Sequence, residues 1–299
     1  MIYTITFNPA LDYVINIEKL SVGEINRSNG EDIFAGGKGI NVSYILKELG
    51  MESTALGFVA GFSGKEIERQ LIECGILCDF TGLENGASRI NVKLRHGKET
   101  DVNTTGPCVD EKHMNMFYEK IYNLTEQDTV VIAGSLPAGV KCQAYTELAS
   151  ILNKKNIRFI IDTTGKNLLN TLEYRPFLIK PNFEELRELF SDLNEENLYD
   201  YMKILQNKGA RNVLVSMGER GSALFDENGV FNLLDAIDGE VVNTVGAGDS
   251  MVAGFLAGYI KSNDYNYAHK LASAAGSATA FSAWLATGEN IYSLLEKNT

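Results

Sequence analysis

The chain has 299 residues, 44% hydrophobic and 22% charged, with 28 glycines and 5 prolines, a composition typical of globular proteins rather than disordered chains. Its formal net charge of -12 argues against nucleic acid or an anionic membrane as a partner, because both attract positively charged proteins. The sequence has 4 cysteines, no apolar run long enough to span a membrane, and no basic segment before an apolar one at the N-terminus, so we expect a cytoplasmic protein with free thiols.

Short runs of β-branched and aromatic residues alternate with amphipathic segments along the chain. In chain order, the runs predict buried strands near residues 2, 53, 129, 157, 176 and 212. Helical spacing of apolar residues predicts helices over residues 40–49, 143–152 and 198–205. The Ala- and Ser-rich stretch 271–286 is predicted to be one closely packed helix. This order predicts a three-layer α/β/α core around a mainly parallel sheet.

Two stretches, residues 11–34 and 87–105, interrupt this alternation with strands of alternating polarity. In the second stretch a turn is predicted at His96-Gly97. Before this turn, a period of two places four polar side chains on one face, namely Arg89, Asn91, Lys93 and Arg95. Taken alone, such a stretch is more often an exposed hairpin with a solvated face. Since no Pro-rich linker is present, we predict a small β-sheet lid inserted into a single domain spanning residues 1–299.

The glycine-rich turn N-T-V-G-A-G-D-S, residues 243–250, precedes an apolar helical segment. The backbone NH groups of Gly246, Ala247 and Gly248 should therefore converge on an anion at a helix N-terminus. Asp249 falls in the first helical turn, where the helix dipole should keep its carboxylate ionised at neutral pH. A carboxylate beside such an anion site suits phosphoryl transfer, with Asp249 accepting the proton of the attacking hydroxyl. An ordinary N-terminal helix cap is the alternative for Asp249, and spacing alone leaves both open.

A second glycine-rich turn, A-G-G-K-G-I-N-V-S, covers residues 35–43. Its glycines permit close approach of a ligand to the backbone, and Asn41 could face a polyol; alternatively, the glycines only shape a tight turn. Asp12 ends the motif N-P-A-L-D after the first strand, where it could accept two sugar hydroxyls or cap a turn. The sequence contains neither a P-loop nor a dinucleotide-binding fingerprint.

Further candidates lie after predicted strands, where open α/β sheets bind their ligands. These are A-G-S-L-P-A-G at 133–139, P-N-F-E-E-L at 181–186 and S-M-G-E-R-G at 216–221. Asn182 and Glu185 could hold a hydrated magnesium ion or form a helix-capping pair. Ser216, Gly218 and Gly221 could line a nucleotide or shape a hairpin.

In this order, the motifs resemble those of the PfkB (ribokinase-like) carbohydrate kinase family, from Met1 to about Leu285. The resemblance implies a ribokinase-like fold and ATP-dependent phosphorylation, with Asp249 as base beside an anion hole of Gly246, Ala247 and Gly248. It implies magnesium near Asn182 and Glu185. It also implies ATP contacts at Ser216, Gly218, Glu219, Gly221 and Gly248.

Within the family, the N-terminal third of the chain is most similar to kinases of ketohexose phosphates. Fructose 1-phosphate is the expected acceptor; the alternatives are tagatose 6-phosphate, another sugar or a nucleoside, and, outside catalysis, a sugar-phosphate or nucleotide sensor. The resemblance implies that Asp12, Gly37, Lys38 and Asn41 hold the sugar. It places the phosphate end of the sugar near Arg27, Arg89, Asn91 and Ser135, with Arg89 as the first choice because its planar fork can grip two oxygens.

With the resemblance, Arg89 and Lys93 offer the positive charge that a doubly anionic substrate needs, although Lys93 could lie at the outer edge of the lid. On the other face of the same strand lie apolar residues that predict a homodimer through the lid, namely Ile90, Val92 and Leu94.

Overall fold

The computed structural model describes residues 1–97 and 99–297. The strands are β1 (Ile2–Thr6), β2 (Ala10–Asn16), β3 (Gly30–Gly36), β4 (Ser53–Ala60), β5 (Leu77–Cys78), β6 (Thr81–Leu83), β7 (Arg89–Arg95), β8 (Glu99–Asn103), β9 (Thr129–Ala133), β10 (Arg158–Asp162), β11 (Leu178–Ile179), β12 (Asn212–Ser216), β13 (Ser222–Phe225) and β14 (Phe231–Leu234). The helices are α1 (Lys38–Glu48), α2 (Gly61–Glu73), α3 (Glu111–Tyr122), α4 (Ala144–Lys154), α5 (Gly165–Thr171), α6 (Phe183–Leu189), α7 (Leu198–Asn207), α8 (Ala247–Ser262), α9 (Tyr265–Ala280) and α10 (Gly288–Lys297).

The main sheet has 10 strands in the order β14-β13-β12-β11-β10-β9-β1-β4-β5, with β6 also pairing with β4. All neighbours from β12 to β5 are parallel, and β13 and β14 form an antiparallel edge. Parallel strands are buried on both faces by their crossover helices. This explains why the strands read as continuous apolar runs in the sequence.

Side chains that alternate along the central strands fill two separate layers of the core. Ile132 and Ile161 pack with α3, α4 and α7 on one face of the sheet. Val131 and Ile160 pack with α1, α8 and α9 on the other face. The predicted three-layer α/β/α core with a mainly parallel sheet is therefore confirmed.

The second sheet has 4 strands in the order β3-β2-β7-β8. Its strands occupy residues 10–16, 30–36, 89–95 and 99–103, close to the stretches in which lid strands are predicted. Asp12 is paired with Phe34 on one side and with Asn91 on the other. This register puts Asp12 and Asn91 on one face of the lid, and Tyr13 and Val92 on the opposite face.

The prediction of one helix over residues 271–286 is wrong, because α9 runs from Tyr265 to Ala280 and the chain then turns. Two side chains take over hydrogen bonds at this end: Thr279 Oγ1 accepts from the Ala286 NH, and Ser282 Oγ donates to the Ala278 carbonyl. The turn lets Trp284 stack on Phe34 of the lid, with ring centroids 4.1 Å apart. The lid and the core are thus in direct contact.

None of the helices described in residues 1–97 and 99–297 is long and apolar enough to cross a membrane.

Candidate active site

One large cavity lies between the lid and the carboxyl ends of the central strands. Its volume is about 1480 Å³, whereas pockets for a single small ligand usually measure about 300–1000 Å³. The predicted site residues that line it are Asp12, Gly37, Lys38, Asn41, Arg89, Asn91, Ser135, Asn182, Glu185, Ser216, Gly218, Glu219, Gly221, Gly246, Ala247, Gly248 and Asp249. The cavity has room for two substrates side by side.

Arg27 is the exception among the predicted site residues. It lies in the exposed segment between β2 and β3 and does not line the cavity. The structure therefore does not bring Arg27 together with the other residues.

The N-terminus of α8 opens into the cavity through the turn predicted from the glycine-rich motif. Gly246 occupies the N-cap position with φ +81° and no side-chain cap, a backbone conformation that favours glycine. Asp249 is thus not the cap of this helix. Its Oδ2 instead accepts a hydrogen bond of 2.8 Å from the Asn41 amide at the start of α1, which joins the two glycine-rich turns predicted from the sequence.

The Asp249 carboxyl group is almost fully buried. Burial raises its pKa to about 6, and the negative charge of Asp162 acts in the same direction, while Lys38, Asn41 and Lys180 oppose the rise. The motif alone predicts that the helix dipole dominates, but desolvation outweighs it. The group still stays mainly ionised at neutral pH and is protonated in mild acid.

A buried carboxylate between two lysines lies next to Asp249. Asp162 Oδ2 lies 3.1 Å from Lys38 Nζ, and its Oδ1 lies 3.7 Å from Lys180 Nζ. Burial alone would raise the pKa of Asp162, but the two ammonium groups outweigh it and hold the pKa below its usual value. The carboxylates of Asp162 and Asp249 in turn raise the pKa of Lys38 against the effect of burial. Lys38 is thus held as a cation at the cavity wall, with Lys180 on the other side of Asp162.

Lys180 and Asp162 are not among the residues predicted from the sequence. A Cβ on Gly248 would lie 2.9 Å from Lys180 Nζ, so the ammonium group lies beside the predicted anion site. Asp162 ends β10 and Lys180 directly follows β11. The rule that ligands bind at the carboxyl ends of parallel strands was the available signal for both.

The lid contributes the opposite wall of the cavity. Asn91 Nδ2 donates a 2.8 Å hydrogen bond to Asp12 Oδ1, and burial raises the pKa of Asp12 although this bond opposes the rise. Asp12 lies within β2, so it does not cap a turn. Of the two positions open to Lys93, the structure shows the inner one and not the outer edge of the lid. Its side chain is 8% exposed, lines the cavity and lies 3.2 Å from Asp101 on β8.

Several buried polar atoms at this wall have no hydrogen-bond partner among the described residues. They are Asn8 Oδ1, Asn41 Oδ1, Arg89 Nε and Asn91 Oδ1, and all four residues line the cavity. Buried polar groups are almost always satisfied in folded proteins. Their concentration here indicates a wall built for a polar ligand.

The opposite end of the cavity is formed by α6 and the turn after β12. Asn182 and Glu185 form a capping box, in which Asn182 Oδ1 accepts from the Glu185 NH and Glu185 Oε2 accepts from the Asn182 NH. Gly218 begins a single helical turn, and a Cβ on Gly221 would collide with the Leu234 carbonyl oxygen. The capping and hairpin alternatives are therefore real structural features, and the same residues also line the cavity.

Comparisons with known proteins agree with this geometry. The sequence profile described as pfkB family carbohydrate kinase matches residues 6–287. The 1-phosphofructokinase of Bacillus subtilis (strain 168) is 42% identical over 297 residues, covering 99% of this chain and 97% of that protein. The D-tagatose-1-phosphate kinase of Bacillus licheniformis is 39% identical over 285 residues, covering 94% of this chain and 93% of that protein.

Among solved structures, phosphofructokinase-2 from Escherichia coli in complex with substrates and products superimposes with a TM-score of 0.94 at 26% identity, over 99% of each chain. This similarity confirms the ribokinase-like fold.

Proposed function

Because the chain belongs to the pfkB family of carbohydrate kinases, we propose that it transfers the γ-phosphoryl group of ATP to fructose 1-phosphate. The products are fructose 1,6-bisphosphate and ADP. The observation that carries this proposal is the convergence, in one cavity, of the Asp249 carboxylate, the N-terminus of α8 and the cationic side chains of the lid. The relatives named for 1-phosphofructokinase and D-tagatose-1-phosphate kinase support a ketohexose phosphate as the acceptor.

Asp249 is the base of the reaction. The acceptor hydroxyl gives its proton to the carboxylate as its oxygen forms the new bond to the γ-phosphorus, and the bond from that phosphorus to the bridging oxygen of ATP breaks. The Asn41 hydrogen bond to Oδ2 holds the carboxylate in place. The raised pKa of about 6 makes Asp249 a stronger base than an exposed aspartate, yet one that is still ionised at neutral pH.

The N-terminus of α8, Lys38 and Lys180 stabilise the negative charge of the transferred phosphoryl group. The backbone NH groups of Gly246 and Gly248 point to phosphoryl oxygens from the start of the helix, whereas the Ala247 NH, which donates a 3.3 Å hydrogen bond to the Thr244 carbonyl, must share its hydrogen to join them. Lys180, whose Nζ lies beside Gly248, adds positive charge. Because Asp162 holds both Lys180 and Lys38, these charges need no reorganisation during the reaction.

The lid holds the acceptor. The hydroxyls of the sugar bind to Asp12, Asn91 and Asn41. The side-chain oxygens of Asn41 and Asn91 are buried and have no hydrogen-bond partner among the described residues. The phosphate binds to Arg89 and Lys93, which supply positive charge in a protein of net charge -12. Gly37, Lys38 and Ser135 line the remaining wall around the sugar.

ATP extends from α8 toward the turn that contains Ser216, Gly218, Glu219 and Gly221. Magnesium that accompanies a nucleotide keeps several waters and is held mainly by phosphate oxygens and one or two carboxylates. Asn182 and Glu185 fit this role, because the capping box keeps their side-chain oxygens at the cavity wall. Within residues 1–97 and 99–297 no cluster of three or more acidic, His or Cys side chains forms a closed metal cage. The ion would neutralise charge on the ATP phosphates.

We also propose a homodimer through the outer face of the lid. Paired residues form an apolar row across all four strands, namely Ile33, Tyr13, Val92 and Val102. Ile33 and Val102 are 48% and 56% exposed. A second copy of the lid would cover this row.

The test is ADP release on a panel of acceptors: fructose 1-phosphate, tagatose 1-phosphate, tagatose 6-phosphate and free fructose. We expect the highest kcat/KM on fructose 1-phosphate and a loss of about 10³-fold or more on free fructose, because a site built for phosphate leaves buried charges unpaired without it. A higher kcat/KM on either tagatose phosphate would make that sugar phosphate, rather than fructose 1-phosphate, the acceptor. Binding without ADP release on any member of the panel would favour the sensor alternative.

A further inference from the structure

A glycine of the segment after β8 lies between the side chains of Asn8 and Arg89. A Cβ on Gly106 would collide with Asn8 Oδ1 and would lie 2.7 Å from Arg89 Cγ. Both approaches are closer than Cβ atoms tolerate in folded proteins. The Gly106 φ of +80° also favours glycine. The chain therefore packs its own backbone against the base of the arginine that lines the cavity.

Asn8 ties the same segment to the turn between β1 and β2. Its Nδ2 donates a 3.1 Å hydrogen bond to the carbonyl of Thr105, and its Oδ1 is buried without a partner among the described residues. The Nε of Arg89 is buried as well, and it too has no partner in the described part of the chain. An unpaired acceptor and an unpaired donor thus belong to two side chains that both pack against Gly106.

We propose that Asn8 and Gly106 position Arg89 for the phosphate of the acceptor. In the loaded enzyme Asn8 Oδ1 accepts the Nε hydrogen of Arg89, and the terminal nitrogens of the guanidinium grip the phosphate. This inference rests on the proposed function, since it concerns how that site selects a phosphorylated sugar. Asn8 and Gly106 are positioning residues that act through Arg89.

The geometry explains why both partners are needed. Arginine carries its five hydrogens in a rigid plane, so fixing Nε also fixes the direction of the two terminal groups. Burial lowers the pKa of Arg89, and the negative charge of Asp12 opposes this effect. Positioning by a neutral amide adds no opposing charge, and therefore leaves the full positive charge for the phosphate.

The first variant is Gly106→Ala, with Gly97→Ala as its matched control. Gly97 has a φ of +82°, but no atom of the described residues lies within 4 Å of the position that a Cβ would occupy there, so the control imposes the same backbone strain without the contact. We expect Gly106→Ala to raise the KM for fructose 1-phosphate by about tenfold or more, with the KM for ATP unchanged. Equal KM values for fructose 1-phosphate in the two variants would overturn the proposal.

The second variant, Asn8→Ala, keeps the test decisive if Gly106→Ala fails to fold, which thermal melting would show. Its effect on the KM for fructose 1-phosphate is measured in the wild-type and the Arg89→Ala backgrounds. A residue that acts through Arg89 loses its effect once Arg89 is gone, whereas a general structural role adds to it. An undiminished effect in the Arg89→Ala background would contradict the proposal.

The free sugar separates this inference from the proposed function. If both proposals hold, Gly106→Ala lowers kcat/KM on fructose 1-phosphate but leaves it unchanged on free fructose. Equal losses on both sugars would refute the positioning role and leave the kinase proposal intact. Failure of the wild-type enzyme to release ADP with any ketohexose phosphate would refute the proposed function itself.

Discussion

Replacing Asp249 with asparagine separates the proposed role of this carboxylate as a base from its role in packing. The variant keeps the shape of the side chain and, after rotation of the amide, the hydrogen bond to Asn41 Nδ2, which measures 2.8 Å in the native protein. It removes the negative charge and the proton acceptor. We therefore expect kcat to fall by roughly 10² to 10⁴-fold, the range for loss of a general base, while the KM for ATP does not rise.

The raised pKa of Asp249 predicts the pH dependence of the native enzyme. Since the base must be ionised, kcat/KM should fall as pH decreases through about 6, with a tenfold loss for each further pH unit. At pH 7 about nine-tenths of the carboxyl groups are ionised by the same titration. The assay is ADP release on fructose 1-phosphate between pH 5 and 8, with and without the substitution.

The raised pKa of Asp249 also predicts that the Asp249→Asn variant is more stable than the native enzyme. Native Asp249 has a pKa of about 6 and the unfolded group about 3.8, so the folded state binds the proton more tightly. The contribution of this group to folding stability is therefore fully present at pH values below the pKa of the unfolded state. It is lost as pH rises through the pKa of the folded state. Above pH 6 the ionised carboxylate destabilises the protein by roughly 3 kcal/mol at most. We expect Asp249→Asn to raise Tm by a few degrees at pH 7.5.

The matched control is Glu289→Gln in the first turn of α10. Glu289 is exposed, so its carboxylate only complements the helix dipole and its loss should slightly lower Tm. Three results would refute the reasoning on Asp249: a kcat loss below tenfold, a native pH profile that is flat between 5 and 7, or a variant that melts at lower temperature than the native protein.

Contacts in the site and the lid give three further predictions. Lys180→Met should lower kcat by about 10²-fold without changing the KM for the sugar phosphate in steady-state assays; a changed sugar KM with normal kcat would contradict this. Gly36→Ala should raise the KM for the sugar phosphate, because its Cβ would lie 2.6 Å from Asp12 Oδ2; Gly50→Ala, at φ +75° and with no atom of the described residues within 4 Å of its Cβ position, should have the KM of the wild type. Val102→Asp should convert a dimer into a monomer in sedimentation velocity, whereas Val230→Asp, also 56% exposed, should not; an unchanged assembly in both would argue against the lid interface.

The main elements could be predicted from sequence because their signals are local. A buried parallel strand such as β9 is a short run of β-branched residues. The glycine-rich turn before α8 predicts a helix N-terminus that follows it directly. Asp162 and Lys180 carry no such signal. They become neighbours only because β10 and β11 pair in a particular register, with Ile161 beside Ile179.

The burial of individual side chains could not be predicted from the sequence either. A period of two predicted correctly that Lys93 shares a face with Asn91, but its burial depends on Asp101 in the adjacent strand β8. The helix dipole near Asp249 was apparent from the motif, whereas the desolvation that outweighs it depends on packing by several elements. The contact between Asn8 and the segment around Gly106 joins parts of the chain that are 97 residues apart.

The contact between Trp284 and Phe34 gives the protein a built-in optical probe. The chain contains a single tryptophan, and its ring lies nearly parallel to Phe34, at an interplanar angle of 14°. Because Phe34 belongs to the lid and Trp284 to the core, any movement of one against the other changes the surroundings of the indole. Its fluorescence therefore comes from one site and reports the position of the lid without an added label.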